Sequence, residues 1–375
     1  SFHRFSSLTI HLRSSPFLIR NMDISVMAEK RGKLSTGLPW TINALISTTE
    51  TVMGMVCRQD GTINRRVSEL MDYRVRPSPE KPIRNVKSAD ITVDRARGLW
   101  FRLFTPMTAE AQPECSMPVV FYIHGGGFAF LTPASMVFNN LCRRLARELN
   151  AIVVSINYRR TPEHRWPCQY DDCYDVLRFV DNGSVAGFPK AGNLDHCFLA
   201  GDSAGGNVAH HVALRANQNG HGNEFTKLRI IGLVSLQPFF GGEESLPSET
   251  EYDNVFLIRK ERTRWLWKAF LPESSNRDHP ACNVFGPQSE DISGMKFPAT
   301  MVVVGGYDPL QDWQRRYYEG LKKAGKEAYL VEYPNAVHSF YGFPQHPESA
   351  KVIGEVKDFV EKQIRECTNP DGTMH

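Results

Sequence analysis

The stretch Cys197-Phe198-Leu199-Ala200-Gly201-Asp202-Ser203-Ala204-Gly205-Gly206-Asn207-Val208 decides how the rest of the chain is read. It opens as an apolar run of strand character and closes in a helical pattern from Val208 onward, with a serine between glycines at the junction. G-x-S-x-G in that setting describes a sharp strand-to-helix turn. The glycines allow the tight path, and the Ser203 hydroxyl stands exposed at the start of the helix. The spacing alone arises by chance about 0.15 times in a chain of this length, so the strand before it and the helix after it carry the weight.

Upstream, a second strand-like run, Val119 to Ile123, leads straight into His124-Gly125-Gly126-Gly127-Phe128. From the His and Gly content, about 0.005 occurrences of HGGG are expected by chance. Consecutive glycines leave backbone N–H groups unshielded and able to point into a pocket, as a tetrahedral oxyanion requires. A flexible loop is the alternative, and the abrupt join to a strand speaks against it.

A serine hydroxyl is a poor nucleophile until a base takes its proton, so an acid and a histidine are sought downstream. Of twelve histidines, His210 and His211 fall on the helix after the serine, whereas His338 follows the last expected strand in a loop. A loop histidine is ordinarily a solvated surface residue. Loops at strand ends are where this architecture gathers its site, and that position selects His338. The acid expected is Asp308, directly after the run Thr300 to Val304. Asp312 competes, and its other reading is a helix N-cap or first-turn acid.

Strands are expected near Ile91–Val93, Trp100–Phe104, Val119–Ile123, Ile152–Ile156, Cys197–Leu199, Ile230–Leu236, Thr300–Val304 and Ala328–Glu332. Helical periodicity falls between them, through Phe138, Leu141, Cys142, Leu145, Ala146 and Leu149, and through Val352, Val356, Phe359 and Val360. Strand and helix in alternation predict an α/β fold with an eight-stranded, mostly parallel sheet covered on both faces.

Residues 86–367 form that domain, with a cap at 238–297 marked by Trp265, Trp267 and Phe270. Residues 27–85 are an N-terminal lid and linker: amphipathic helices between Leu38 and Leu70, then a Pro-rich linker from Arg76 to Pro82. Core packing and a lid are both compatible with that periodicity. Residues 368–375 are expected to be a disordered tail. Residues 1–26, basic and free of acids through Asn21, match a transit peptide and equally a non-coding stretch upstream of a start at Met27. The second is the expectation taken.

Lys and Arg number 44 against 41 Asp and Glu, scattered along the chain, so a nucleic-acid partner has no electrostatic footprint. No apolar run is long enough for a membrane span. Eight cysteines without a C-x-x-C pair argue against a disulfide framework or zinc site and suggest a reducing compartment. No metal or cofactor is expected.

Together HGGGF at His124, Asn157-Tyr158-Arg159 with Pro162-Glu163-His164, GDSAGGN around Ser203, Asp308 and His338 resemble the hormone-sensitive-lipase-like branch of the α/β-hydrolases. Within it they resemble the plant carboxylesterases that include the gibberellin receptors. Arg58-Gln59-Asp60-Gly61-Thr62-Ile63-Asn64-Arg65 is similar to the lid segment of that plant group. The resemblance spans about residues 36–366.

It implies an α/β-hydrolase fold, with Ser203 as nucleophile, His338 as base and Asp308 as its partner. Gly126, Gly127 and Ala204 would supply the oxyanion hole, with His124, Gly125 and Asp202 as motif support. The implied activity is a serine carboxylesterase acting on small-molecule esters without a cofactor, in the cytoplasm or nucleus, or in an organelle if residues 1–26 are a transit peptide. The alternative is a hormone-binding protein like the receptors, with residues 36–75 closing over the ligand. In those receptors an aliphatic residue replaces the histidine, and His338 departs from that pattern.

Overall fold

The computed structural model describes residues 56–183, 185–218, 225–253, 255 and 258–369. The leader at 1–26, the helical pattern expected before residue 56 and the tail from 370 lie outside the described residues.

Parallel strands buried on both faces must be apolar throughout, and here alternate side chains enter different cores. In β4 (Met117–Ile123), Val119, Phe121 and Ile123 join one cluster, which also holds Val176 and Leu177 of α4 (Cys168–Asp181) and Val208 and Val212 of α5 (Ala204–Gln218). Val120 and Tyr122 join the other, with Phe138, Leu141 and Leu145 of α3 (Met136–Glu148) and Val352, Val356 and Phe359 of α9 (Glu348–Thr368). The helical faces expected from periodicity are these buried faces. A third cluster packs Trp313, Tyr317 and Leu321 of α8 (Gln311–Lys323) on Val302 and Val304 of β8 (Ala299–Gly305).

The sheet has nine strands in the order β1-β2-β3-β5-β4-β6-β7-β8-β9. The remaining strands are β1 (Ser78–Ile83), β2 (Val86–Asp94), β3 (Leu99–Pro106), β5 (Ile152–Ile156), β6 (Gly192–Asp202), β7 (Ile230–Leu236) and β9 (Ala328–Tyr333). β1 to β3 run antiparallel, β3 meets β5 antiparallel, and β4 to β9 are joined in parallel.

The count exceeds the expected eight because the Pro-rich stretch 76–82, expected as a linker, holds most of β1. It lies at the sheet edge and pairs only with β2, so Pro79 and Pro82 can sit in a strand that lacks a second neighbour to bond. Arg143 of α3 pins this hairpin, donating to the Ile83 and Val86 carbonyls and to the Ser78 and Ser88 hydroxyls. At the other end α9 continues through Thr368, into the expected tail. The segment between β7 and β8 contains α6 (Pro247–Glu251) and α7 (Lys260–Phe270) and occupies the place expected for a cap.

Since β4 and β6 to β9 run the same way, the loops after them emerge at one edge. Ile123 pairs with Gly201, Asp202 with Leu236, and Gly305 with Tyr333. The glycine-rich stretch, Ser203, Asp308 and His338 all follow these strand ends.

Close packing of the central strands leaves no room at Gly232, where a Cβ would come within 2.7 Å of the Phe198 ring and 3.2 Å of Phe359. Gly232→Ala should therefore destabilise the fold by about 1–3 kcal/mol through overpacking, measured as a lower urea midpoint with unchanged slope. A wild-type midpoint would contradict this picture of the core.

Candidate active site

The turn holding Ser203 is shaped by close backbone approaches. Strand β6 ends at Asp202 and α5 begins at Ala204, so Ser203 alone makes the turn, with a φ of 51° that is costly for a residue with a side chain. A Cβ at Gly201 would lie 2.3 Å from the Gly205 carbonyl oxygen, and one at Gly205 would lie 1.9 Å from that of Ile123. Neither position admits a side chain. The Ser203 N–H donates to the Leu236 carbonyl at 2.9 Å, and its own carbonyl accepts from Gly206 at 3.0 Å and Phe239 at 2.8 Å. Hydrogen bonds on both sides thus hold the strained residue.

The loop His124-Gly125-Gly126-Gly127-Phe128 lies against this turn. Gly125 N–H donates to Asp202 Oδ1 at 2.9 Å, and a Cβ on Gly125 would come within 2.4 Å of Asp202 Oδ2. Gly126 and Gly127 have φ values of 102° and 60°, which glycine adopts without strain. Among the described residues nothing accepts a hydrogen bond from the N–H groups of Gly126, Gly127 or Ala204, which suits them to a ligand oxygen.

His124 has a different character. Its ring stacks on Tyr158 at 4.3 Å and bonds through Nδ1 to the Gly125 carbonyl. Burial pushes its pKa down to about 3, so it packs as a neutral ring.

Asp202 ties the two segments together. Its Oδ1 accepts from Tyr122 Oη at 2.6 Å as well as from Gly125, and its Oδ2 from Tyr341 Oη at 3.4 Å. Burial raises this carboxyl to about 6, opposed by those donors and by the nearby His338.

His338 and Asp308 meet at the neighbouring strand ends. His338 Nδ1 lies 2.7 Å from Asp308 Oδ2, with both side chains buried. Asp308 Oδ2 also accepts from Gln237 Nε2 at 3.0 Å and Gln314 Nε2 at 2.8 Å, and Oδ1 from the Leu310 N–H at 2.9 Å. An imidazole that donates through Nδ1 keeps its lone pair on Nε2, the arrangement of a general base.

The competing residues are engaged elsewhere. Asp312, in the first turn of α8, accepts from Ser248 N–H and pairs with Arg315. His210 contacts Tyr317 Oη at 3.0 Å, His211 stacks on Tyr170 at 4.6 Å, and burial lowers the pKa of both rings.

Helix α7 and the segment 56–71 roof this edge. Leu266 lies where a side chain on Gly127 would go, and Phe128 stacks on Phe270 at 3.8 Å. Trp265 Nε1 donates to the Arg58 carbonyl at 2.9 Å. Arg65, leading α1 (Arg65–Met71), donates to the Ala129 and Thr161 carbonyls and pairs with Glu163.

Sequence reading missed Gln237, Gln314, Tyr122, Tyr341 and Arg65 as partners. Gln237 carried a signal as the polar residue directly after the apolar run Ile230–Leu236, and Arg65 as the last residue of the segment similar to the lid. Among the described residues no group of His, Cys, Asp and Glu is arranged to hold a metal, and no helix is long and apolar enough to cross a membrane.

Residues 120–342 match the α/β-hydrolase fold family, and residues 57–162 match the carboxylesterase family. A gibberellin receptor of Arabidopsis thaliana is 38% identical over 340 residues, covering 88% of this chain and 96% of the receptor. Carboxylesterase 20 of the same plant is 33% identical, covering 82% and 95%. An esterase from Pyrobaculum calidifontis superposes with a TM-score of 0.64 at 26% identity, covering 76% of this chain and 87% of its own.

Asp202→Asn retains an acceptor for Tyr122 and Gly125 and removes the charge. Folding raises this carboxyl from 3.8 to about 6, so its contribution to stability is complete below about pH 4 and is lost as the pH rises through 6. The variant should gain on the wild type by about 3 kcal/mol between pH 4 and pH 8, read from urea midpoints at each pH. A gap independent of pH would contradict the burial of a charged Asp202.

Proposed function

The chain belongs to the α/β-hydrolase family, alongside plant carboxylesterases and gibberellin receptors, and from that premise we propose that it is a serine carboxylesterase acting on small-molecule esters. The observation that carries the reading is the 2.7 Å hydrogen bond between His338 Nδ1 and Asp308 Oδ2, on the ends of β8 and β9 at the same sheet edge as the strained Ser203 turn.

In this mechanism Ser203 Oγ attacks the ester carbonyl while His338 Nε2 takes the hydroxyl proton. Asp308 fixes the tautomer and stabilises the imidazolium. The oxyanion receives hydrogen bonds from the N–H groups of Gly126, Gly127 and Ala204, in place before the reaction begins. His338 then returns the proton to the departing alkoxide as the acyl-enzyme forms, and water attacks that ester by the same route reversed. His124 and Asp202 hold the glycine loop and exchange no proton with substrate.

A second reading follows from the receptors' identity across 88% of this chain. Under it, the roof of α7 and residues 56–71 would enclose a gibberellin-like acid without turnover. His338 is the discriminating residue, because binding alone does not require a base held by a buried carboxylate.

Short-chain aryl esters should be hydrolysed. Ser203→Ala and Asp308→Asn should each lower kcat by roughly a thousandfold or more, measured beside circular dichroism to confirm folding. An alanine variant that kept a tenth of wild-type turnover would remove Ser203 from the mechanism.

A serine-directed organophosphate should label the wild type stoichiometrically and fail to label His338→Val. Intact protein that resists labelling yet binds gibberellin at micromolar concentration or tighter would replace the esterase reading with the receptor one.

A further inference from the structure

Gln237 is the residue immediately after β7, fully buried, and it adopts a φ of 45°. A left-handed backbone costs a residue with a side chain about 1 kcal/mol or more, and such strain persists where the surroundings require it. Its amide accounts for the requirement. Nε2 donates to Asp308 Oδ2 at 3.0 Å and to the Val337 carbonyl at 3.2 Å, while Oε1 accepts from the Ser339 N–H at 2.8 Å.

Val337 and Ser339 flank His338. One side chain therefore grips the backbone on both sides of the histidine and, at the same time, the carboxylate that the imidazole bonds. The backbone N–H of Gln237 is itself fixed to the Val303 carbonyl at 2.9 Å, two residues before Gly305. The space is cut to the amide: a Cβ on Gly305 would lie 2.4 Å from Gln237 Nε2. Ser339, with a φ of 62°, is also left-handed, so the histidine loop is itself strained and held from outside.

We propose that Gln237 is a positioning residue for the Asp308–His338 pair, setting the height and orientation of the imidazole relative to Ser203. This rests on the esterase reading of the same site. Gln314 bonds the same Asp308 oxygen, but its amide bonds only the acid; of the two glutamines, Gln237 couples acid and histidine loop. Among the described residues, titratable groups close to the Asp308–His338 pair include Asp202, whose carboxyl feels the charge of His338, and Tyr341, whose phenol is pushed up by burial and then by Asp202 and Asp308.

Two variants and one spectroscopic signal test the assignment. Gln237→Met fills similar space without donor or acceptor. It should lower kcat about a hundredfold, the cost of a misplacement near 1 Å, with KM within about twofold.

Gln237→Glu places a second carboxyl beside Asp308. It should lower kcat about tenfold or more with KM within about twofold, because a carboxyl beside buried Asp308 shares a proton with it and cannot donate to both Asp308 and the Val337 carbonyl. A residue that served only packing would tolerate this nearly isosteric change.

The far-downfield proton resonance of the His338 Nδ1–H reports the hydrogen bond to Asp308 independently of turnover. It should be present in the wild type and lost or exchange-broadened in Gln237→Met. Wild-type protein that shows the resonance but hydrolyses no ester would retire the esterase reading while leaving the positioning role supported by its loss in the variant. A Met variant with kcat within twofold of wild type and an intact resonance would overturn the proposal. Should that variant fail to fold by near-ultraviolet circular dichroism, the Glu variant decides, and a kcat within twofold of wild type overturns it.

Discussion

The site depends on how closely the start of α5 approaches the end of β4. With a Cβ at Gly205 falling 1.9 Å from the Ile123 carbonyl oxygen, any side chain there would force the helix away from the sheet. Keeping the two in contact makes Ser203 turn the chain alone and brings Asp202 against Gly125. Strain at one residue is thereby exchanged for alignment of the serine turn with the glycine-rich loop. Under the proposed esterase reading, local rigidity of this kind leaves no reorganisation for the moment of reaction.

Two buried carboxylates lie at this edge of the sheet and are treated differently. Asp308 receives a histidine N–H, two glutamine amides and one backbone N–H. Asp202 receives two phenols and one backbone N–H, and burial holds it near 6. Environment, more than residue type, separates the carboxylate that bonds His338 from the one that braces the glycine loop. The roof adds a third constraint, since Leu266 and Phe270 of α7 fix the glycine loop from above while Arg65 bonds the carbonyls beyond it.

Local patterns were open to sequence reading wherever their cause lay within a few residues. Apolar runs marked β5 and β7 at their full lengths, and periodicity marked the buried faces of α3 and α9. The glycines around Ser203 announced a tight turn because the contacts forbidding a side chain at Gly201 come from Gly205 and Gly206. β1 escaped, since prolines read as breakers unless the strand is known to be an edge, and the edge is a property of the assembled sheet.

By itself the sequence determined the alternating architecture, the serine turn, the glycine-rich loop, and the strand ends on which Asp308 and His338 lie. Each is written in adjacent residues through sterics and periodicity. Tertiary structure alone decided that Asp308 and His338 bond, that Tyr122 and Tyr341 close on Asp202, and that Gln237 reaches both sides of His338. Those partners lie on, or in the segments after, different strands and are brought together by sheet register, which depends on pairings across tens of residues and leaves no short-range mark in the chain.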